Sequence, residues 1–209
     1  MMDSSLLFLF IPTFFLVSIT PGMCMTLALT LGMSVGVRRT MYMMLGELLG
    51  VAIVAIAAVL GVAAIMLKFP LLFTGLKLIG GAYLTYIAIQ MWRSKGSMAI
   101  SLALERKTDT SRFTLFSQGF ITAIANPKGW AFMISLLPPF ISPEQSFYLQ
   151  LLTLVAIILC SEFICMMIYA TGGKTLGMLL ANGRNVKRVN RISALLMFAV
   201  AIWLVSDLL

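Results

Sequence analysis

Thr20-Pro21-Gly22 interrupts one long apolar stretch, and Asn126-Pro127-Lys128 interrupts another, 106 positions later, about half the chain. The flanks match loosely at that offset, with Phe14 falling on Phe120 and Pro21 on Pro127. A proline removes a backbone donor and crowds the preceding turn, which costs about 3 kcal/mol in a helix interior. In lipid, backbone groups freed this way must be buried against protein or line a wet cavity. Two interruptions in corresponding positions of two halves therefore predict a binding site near the middle of a bilayer. The plainer alternative is a pair of kinks in a helix bundle.

Composition makes the bilayer the relevant solvent. The 209 residues are 61% hydrophobic and 11% charged, with a mean hydropathy of +1.04, more apolar surface than a soluble domain of this size can cover. A span needs about 20 mostly apolar residues. Six segments qualify: 6–31, 40–67, 71–92, 113–137, 147–171 and 192–208. Residues 1–92 then form one three-helix half, 93–112 a polar cytoplasmic linker and 113–209 a second three-helix half. An odd number of spans per half makes the second half enter from the opposite face, so homologous halves form an inverted repeat. The expected fold is an all-α integral membrane protein with six transmembrane helices, the first and fourth broken.

Basic residues orient it. Arg38 and Arg39, then Arg93, Lys95, Arg106, Lys107 and Arg112, then Lys174, Arg184, Lys187, Arg188 and Arg191 fall in alternate loops on one face. Positive loops stay cytoplasmic, which leaves both termini periplasmic. The net charge of +8 then marks a rim facing anionic lipid, with no nucleic-acid partner needed. The first span does not read as a typical cleaved signal peptide, because Met1-Met2-Asp3-Ser4-Ser5 carries no basic residue and the apolar run is too long. There is no histidine, and Cys24, Cys160 and Cys165 are scattered through spans. No metal site, cofactor or extracellular disulfide framework is expected.

Thr20 lies about 21 Å into the first span and Asn126 about 20 Å into the fourth, at 1.5 Å per residue from opposite faces. Each break offers free amides that favour a carboxylate and free carbonyls that favour an ammonium or a cation. A zwitterion presents both groups. Thr20, Pro21, Gly22, Asn126, Pro127 and Lys128 are the candidate binding residues. Glu47 and Glu162 are the acids well inside spans, where an acid costs about 2.5–3.5 kcal/mol. Such residues can carry a proton, or can be structural partners of Lys128. The two are 115 positions apart, so they are not counterparts at the repeat offset. Gly46-x-x-x-Gly50 lets helices approach closely, either within the chain or at a subunit interface. Gly32-x-x-x-Gly36 reads as a helix end. Trp92, Tyr148 and Trp203 lie near span ends as interface anchors.

Taken in order, Thr20-Pro21-Gly22, Gly32, Gly36, Gly46-Glu47-Leu48-Leu49-Gly50, Gly80-Gly81-Ala82-Tyr83-Leu84 and Asn126-Pro127-Lys128-Gly129-Trp130 resemble the LysE/RhtB amino-acid exporters over nearly the whole chain. Many members of that family read Pro-Gly-Pro at the first break, where this chain has Met23. The resemblance implies a bacterial inner-membrane carrier of amino acids or related small metabolites. It would be driven by an H+ or Na+ gradient, with no enzymatic activity and the possibility of a homo-oligomer. A thiol-disulfide relay similar to the CcdA/DsbD transmembrane domains is the rival reading. It needs a cysteine beside each break, and none occurs between Asn126 and Leu137.

Overall fold

The computed structural model describes residues 4–68, 70–93, 110–137, 140–141, 145–181 and 183–206. Linker residues 94–109, Pro138-Pro139 and Asp207 lie outside the described residues, as do the side chains of Lys77, Pro127, Lys128 and Trp203. The chain forms α1 (Ser4–Ser18), α2 (Met23–Ser34), α3 (Val37–Lys68), α4 (Pro70–Arg93), α5 (Arg112–Ile124), α6 (Pro127–Leu136), α7 (Phe147–Ala181) and α8 (Gly183–Ser206). Each of the six apolar segments is helical, the first as α1 with α2 and the fourth as α5 with α6. Among the described residues, two helices are long and apolar enough to cross a membrane unaided, over Val37–Gly61 and Phe147–Gly173. The α1–α2 pair, bent by 57° at its break, meets the same criterion when its two helices are taken as one span. The chain is therefore a helical membrane protein.

Proline alone does not make the first break, since Pro12 sits inside α1 without ending it. What differs at Pro21 is the glycine that follows. Gly22 adopts extended backbone (φ −139°, ψ −172°) and starts α2 as its N-cap. Thr20, between α1 and α2 and before a proline that disfavours the helical region, folds its hydroxyl back onto the Leu16 carbonyl at 2.8 Å. At the second break Pro127 is the first residue of α6, where its missing N–H costs nothing. The Asn126 carbonyl accepts the first helical bond there, from the Trp130 amide at 3.2 Å.

α3 and α5 run side by side in the same direction. Arg39 donates to the Thr110 carbonyl at 2.7 Å, and Arg112 stacks over the Tyr42 ring at 5.2 Å, at one end of the pair. Further along, a Cβ at Gly46 would strike the Phe116 carbonyl, and one at Gly119 would strike the Met43 carbonyl. A Cβ at Gly50 would come within 2.7 Å of the Ala123 Cβ. The Gly46/Gly50 face is thus filled by α5 of the same chain, the first of the two alternatives the spacing allowed. Gly36, at φ +84°, does end α2, but Gly32 packs its backbone against Ala170 of α7.

One correction concerns the last basic cluster. Arg184, Lys187, Arg188 and Arg191 do not lie in a loop but on the first turns of α8. Their spacing of three and four is that of one helix face. Arg191 reaches back over the Trp92 ring, 5.3 Å from its centroid, so the start of α8 meets the end of α4.

The core is divided into two clusters stacked along the helices. One gathers Phe10 and Phe14 of α1, Val54 to Val59 of α3, Phe132 and Leu136 of α6, and Leu154 and Ile158 of α7. The other gathers Met25 and Leu29 of α2, Met43 and Met44 of α3, Leu115 of α5, and Cys165 to Ala170 of α7. The seam between them crosses α3 between Met44 and Val54, and α7 between Ile158 and Cys165. Glu47 and Glu162 fall in those two intervals, at the level of both helix breaks.

Candidate functional site

A cavity of about 70 Å³ opens at this seam. It is room enough for several waters or a small solute. The first break supplies Thr20, Gly22 and Cys24 to its wall, the second supplies Asn126 and Gly129, and α3 and α7 supply Glu47 and Glu162. The breaks touch directly, with the Asn126 amide donating to the Cys24 thiol at 3.9 Å. Five of the residues singled out from sequence therefore meet around one space. Pro21 does not line the cavity. The rest of the wall is apolar, from Phe14, Val51, Val54, Phe132 and Met133.

The two acids are held differently. Glu162 Oε1 accepts from the Ser18 hydroxyl at 2.8 Å, which ties α7 to the last residue of α1. Glu47 is 1% exposed, and neither of its carboxyl oxygens has a hydrogen-bond partner among the described residues. A buried charge without a partner is costly, so this carboxyl is stable either as a neutral acid or beside a cation.

The backbone opened by the breaks is accounted for by donors from aromatic side chains. The Tyr169 hydroxyl of α7 donates to the Ile19 carbonyl at 2.8 Å, and the Trp130 indole of α6 donates to the Ile124 carbonyl at 2.9 Å. At the start of α2 no side chain caps the amides, and Met23, Cys24 and Met25 stand at the cavity wall. That end carries the partial positive charge of a helix N-terminus. Tyr169→Phe, which strands a buried carbonyl, is expected to destabilise the protein by about 1–3 kcal/mol. A lowered thermal midpoint in detergent is the measurement.

Ser18 and Tyr169 carry no local sequence signal for these roles, because their partners lie 144 and 150 positions away. Cys24 could have been found from its place two residues beyond Gly22, in the first turn of a helix opened by a break. All three cysteines are free, and Cys165 donates instead to the Phe15 carbonyl at 3.9 Å.

The chain is similar in sequence to known bacterial membrane proteins. A homoserine/homoserine lactone efflux protein of Salmonella typhimurium is 29% identical over 95% of each chain. An uncharacterized membrane protein of Vibrio cholerae is 27% identical over 84% of each. No solved structure matches. The description of the LysE type translocator family fits residues 15–208, and this chain, a bacterial membrane protein, belongs to that family.

Proposed function

We propose that the chain is a secondary carrier that exports small amino acids or closely related metabolites across the bacterial inner membrane by alternating access. The observation that carries this is the convergence of two broken spans and two intramembrane acids on one cavity at the seam of a divided core. Membership of a translocator family and the efflux proteins among its relatives support the direction of transport. Thr20, Gly22 and Asn126 line the site, Pro21 and Pro127 shape it, and Lys128 stands beside it in sequence. Glu47 and Glu162 are the acids through which an H+ or Na+ gradient would drive the cycle.

The helix pairings support two inverted halves. Exchanging the halves maps α3 beside α5 onto α7 beside α1, and α2 beside α7 onto α6 beside α3; all four pairs are in contact. The contacts Arg39–Thr110, Arg112–Tyr42 and Arg191–Trp92 gather the arginines of three successive basic clusters towards one end. This supports a cytoplasmic basic rim with periplasmic termini. Single cysteines at Arg38 and Arg188 are expected to resist a membrane-impermeant maleimide in intact cells and to react in inverted vesicles. Labelling in intact cells would reverse the orientation.

The reading is tested by overexpressing the chain in a sensitive bacterium and challenging it with individual amino acids and analogues. Resistance to a defined subset is expected, and its absence across the panel would count against export. Asn126→Leu is expected to keep the fold but weaken substrate binding about tenfold, the loss of one or two polar contacts at about 1 kcal/mol each. Unchanged affinity in the purified protein would remove Asn126 from the site.

A further inference from the structure

We propose that Glu47 and Glu162 together form the docking point for a primary ammonium group, and that this ammonium and a proton displace one another there. The inference rests on the export reading and specifies its cargo: small primary amines with a neutral, mostly apolar body, with or without a carboxylate.

Three observations carry it. First, Glu47 is 1% exposed, lines the cavity and has no hydrogen-bond partner among the described residues. A carboxyl so placed holds a proton or faces a cation. Second, Glu162 approaches the same space from α7 and interacts electrostatically with Glu47. The Ser18 hydroxyl occupies one of its oxygens and fixes its position. Two carboxyls from different helices make a clamp matched to the three donors of an ammonium. Third, the described wall also offers Ser18 from α1, Cys24 from α2, Ala123 from α5, and Gly129, Phe132 and Met133 from α6; among these six the Cys24 thiol is the one titratable group, and none is a lysine or arginine. The apolar remainder of the wall suits a short aliphatic or cyclic body. Among the described groups of the wall, a carboxylate on the cargo would find the amide end of α2 and the Asn126 carboxamide, each a weaker attraction than a charge-to-charge hydrogen bond. The ammonium is therefore the required group and the carboxylate an optional one.

A single site that holds either a proton or the cargo's ammonium couples the two without a second pathway. Protons arriving from the acidic side expel the amine, and an amine arriving from the cytoplasm expels the proton. The exchange is electroneutral at the site.

The test uses matched probes that differ only in the amino group. The full chain in lipid nanodiscs is titrated calorimetrically with α-amino-γ-butyrolactone against α-hydroxy-γ-butyrolactone, and with alaninamide against lactamide. Each amine is expected to bind about tenfold or more tighter than its hydroxyl partner, as for a charge-assisted contact. Repeating the titration in buffers of different ionisation enthalpy is expected to show proton release on amine binding, with affinity falling as pH is lowered. Glu47→Gln is expected to abolish both the preference and the release. Should that variant fail to fold, the buffer series on the native chain still decides the question. Equal binding of amine and hydroxyl probes, binding without proton release at every pH, or no binding of either amine would each overturn the clamp. The export reading would survive any of these if the resistance screen still scores, so the two failures are distinct.

Discussion

Glu162→Gln is expected to accumulate and fold normally, yet to reduce pH-driven efflux from loaded vesicles to the leak of protein-free ones. The substitution keeps the volume of the side chain and the oxygen that accepts from Ser18 at 2.8 Å, so the tie between α1 and α7 persists. What it removes is the capacity to gain and lose a proton, since a carboxamide does not titrate in this range. A carrier whose cycle requires that event loses the coupled flux altogether. Glu162→Ala is a poorer test, because it also strands the Ser18 hydroxyl at the seam. The experiment is a pH jump across vesicles preloaded with whichever metabolite the resistance screen identifies. Full proton-coupled efflux by the glutamine variant would take Glu162 out of the mechanism and leave Glu47 to act alone.

The largest effect on stability is expected from the smallest change, Gly119→Ala. An added methyl group would meet the Met43 carbonyl and also come within 2.9 Å of the Glu47 amide nitrogen. Both obstacles are backbone of a long helix, which cannot swing aside as a side chain can. The helices would have to separate, at a cost of about 3 kcal/mol, the upper part of the usual range for overpacking. Against a total stability of about 5–15 kcal/mol this is a large share. Because α3 carries Glu47, the separation would also pull apart the seam. Gly61→Ala is the control: nothing lies within 4 Å of its built methyl group. That change is expected to move stability by less than about 1 kcal/mol. Thermal unfolding in detergent separates the two variants, and equal midpoints would contradict the close packing of α3 on α5.

Much of this was legible in the sequence because lipid imposes simple rules. Long apolar runs located the helices, and Pro21 and Asn126-Pro127 located the two places where helices stop. Glu47 and Glu162 stood out because acids are costly at that depth. They share one cavity although they lie 115 positions apart in sequence, not the 106 that separate the two breaks. What was not legible depended on contacts between distant residues. The pairing of Ser18 with Glu162 and of Tyr169 with Ile19 brings together positions that no local pattern links. The division of the core at the level of the breaks needed the packing of six helices. One expectation failed for a local reason. The arginines before the last span were read as a loop because they are charged, although their spacing is that of a helix. The Gly46/Gly50 face left open a subunit contact, whereas Gly119, on a different segment, supplies the complementary small surface.

The donors that repair the two breaks differ in when they become available. Trp130 serves Ile124 from six residues away, so that repair can form as soon as its own span has entered the membrane. Tyr169 serves Ile19 from 150 residues away. At a synthesis rate of about 5–20 residues per second, the first span waits roughly 8 to 30 s for its missing donor. During biogenesis the first half is accordingly an unfinished object, dependent on water, lipid headgroups or an insertase until the fifth span arrives. A nascent chain stalled before Tyr169 is expected to be a substrate for membrane proteases, and one stalled beyond α7 to escape them.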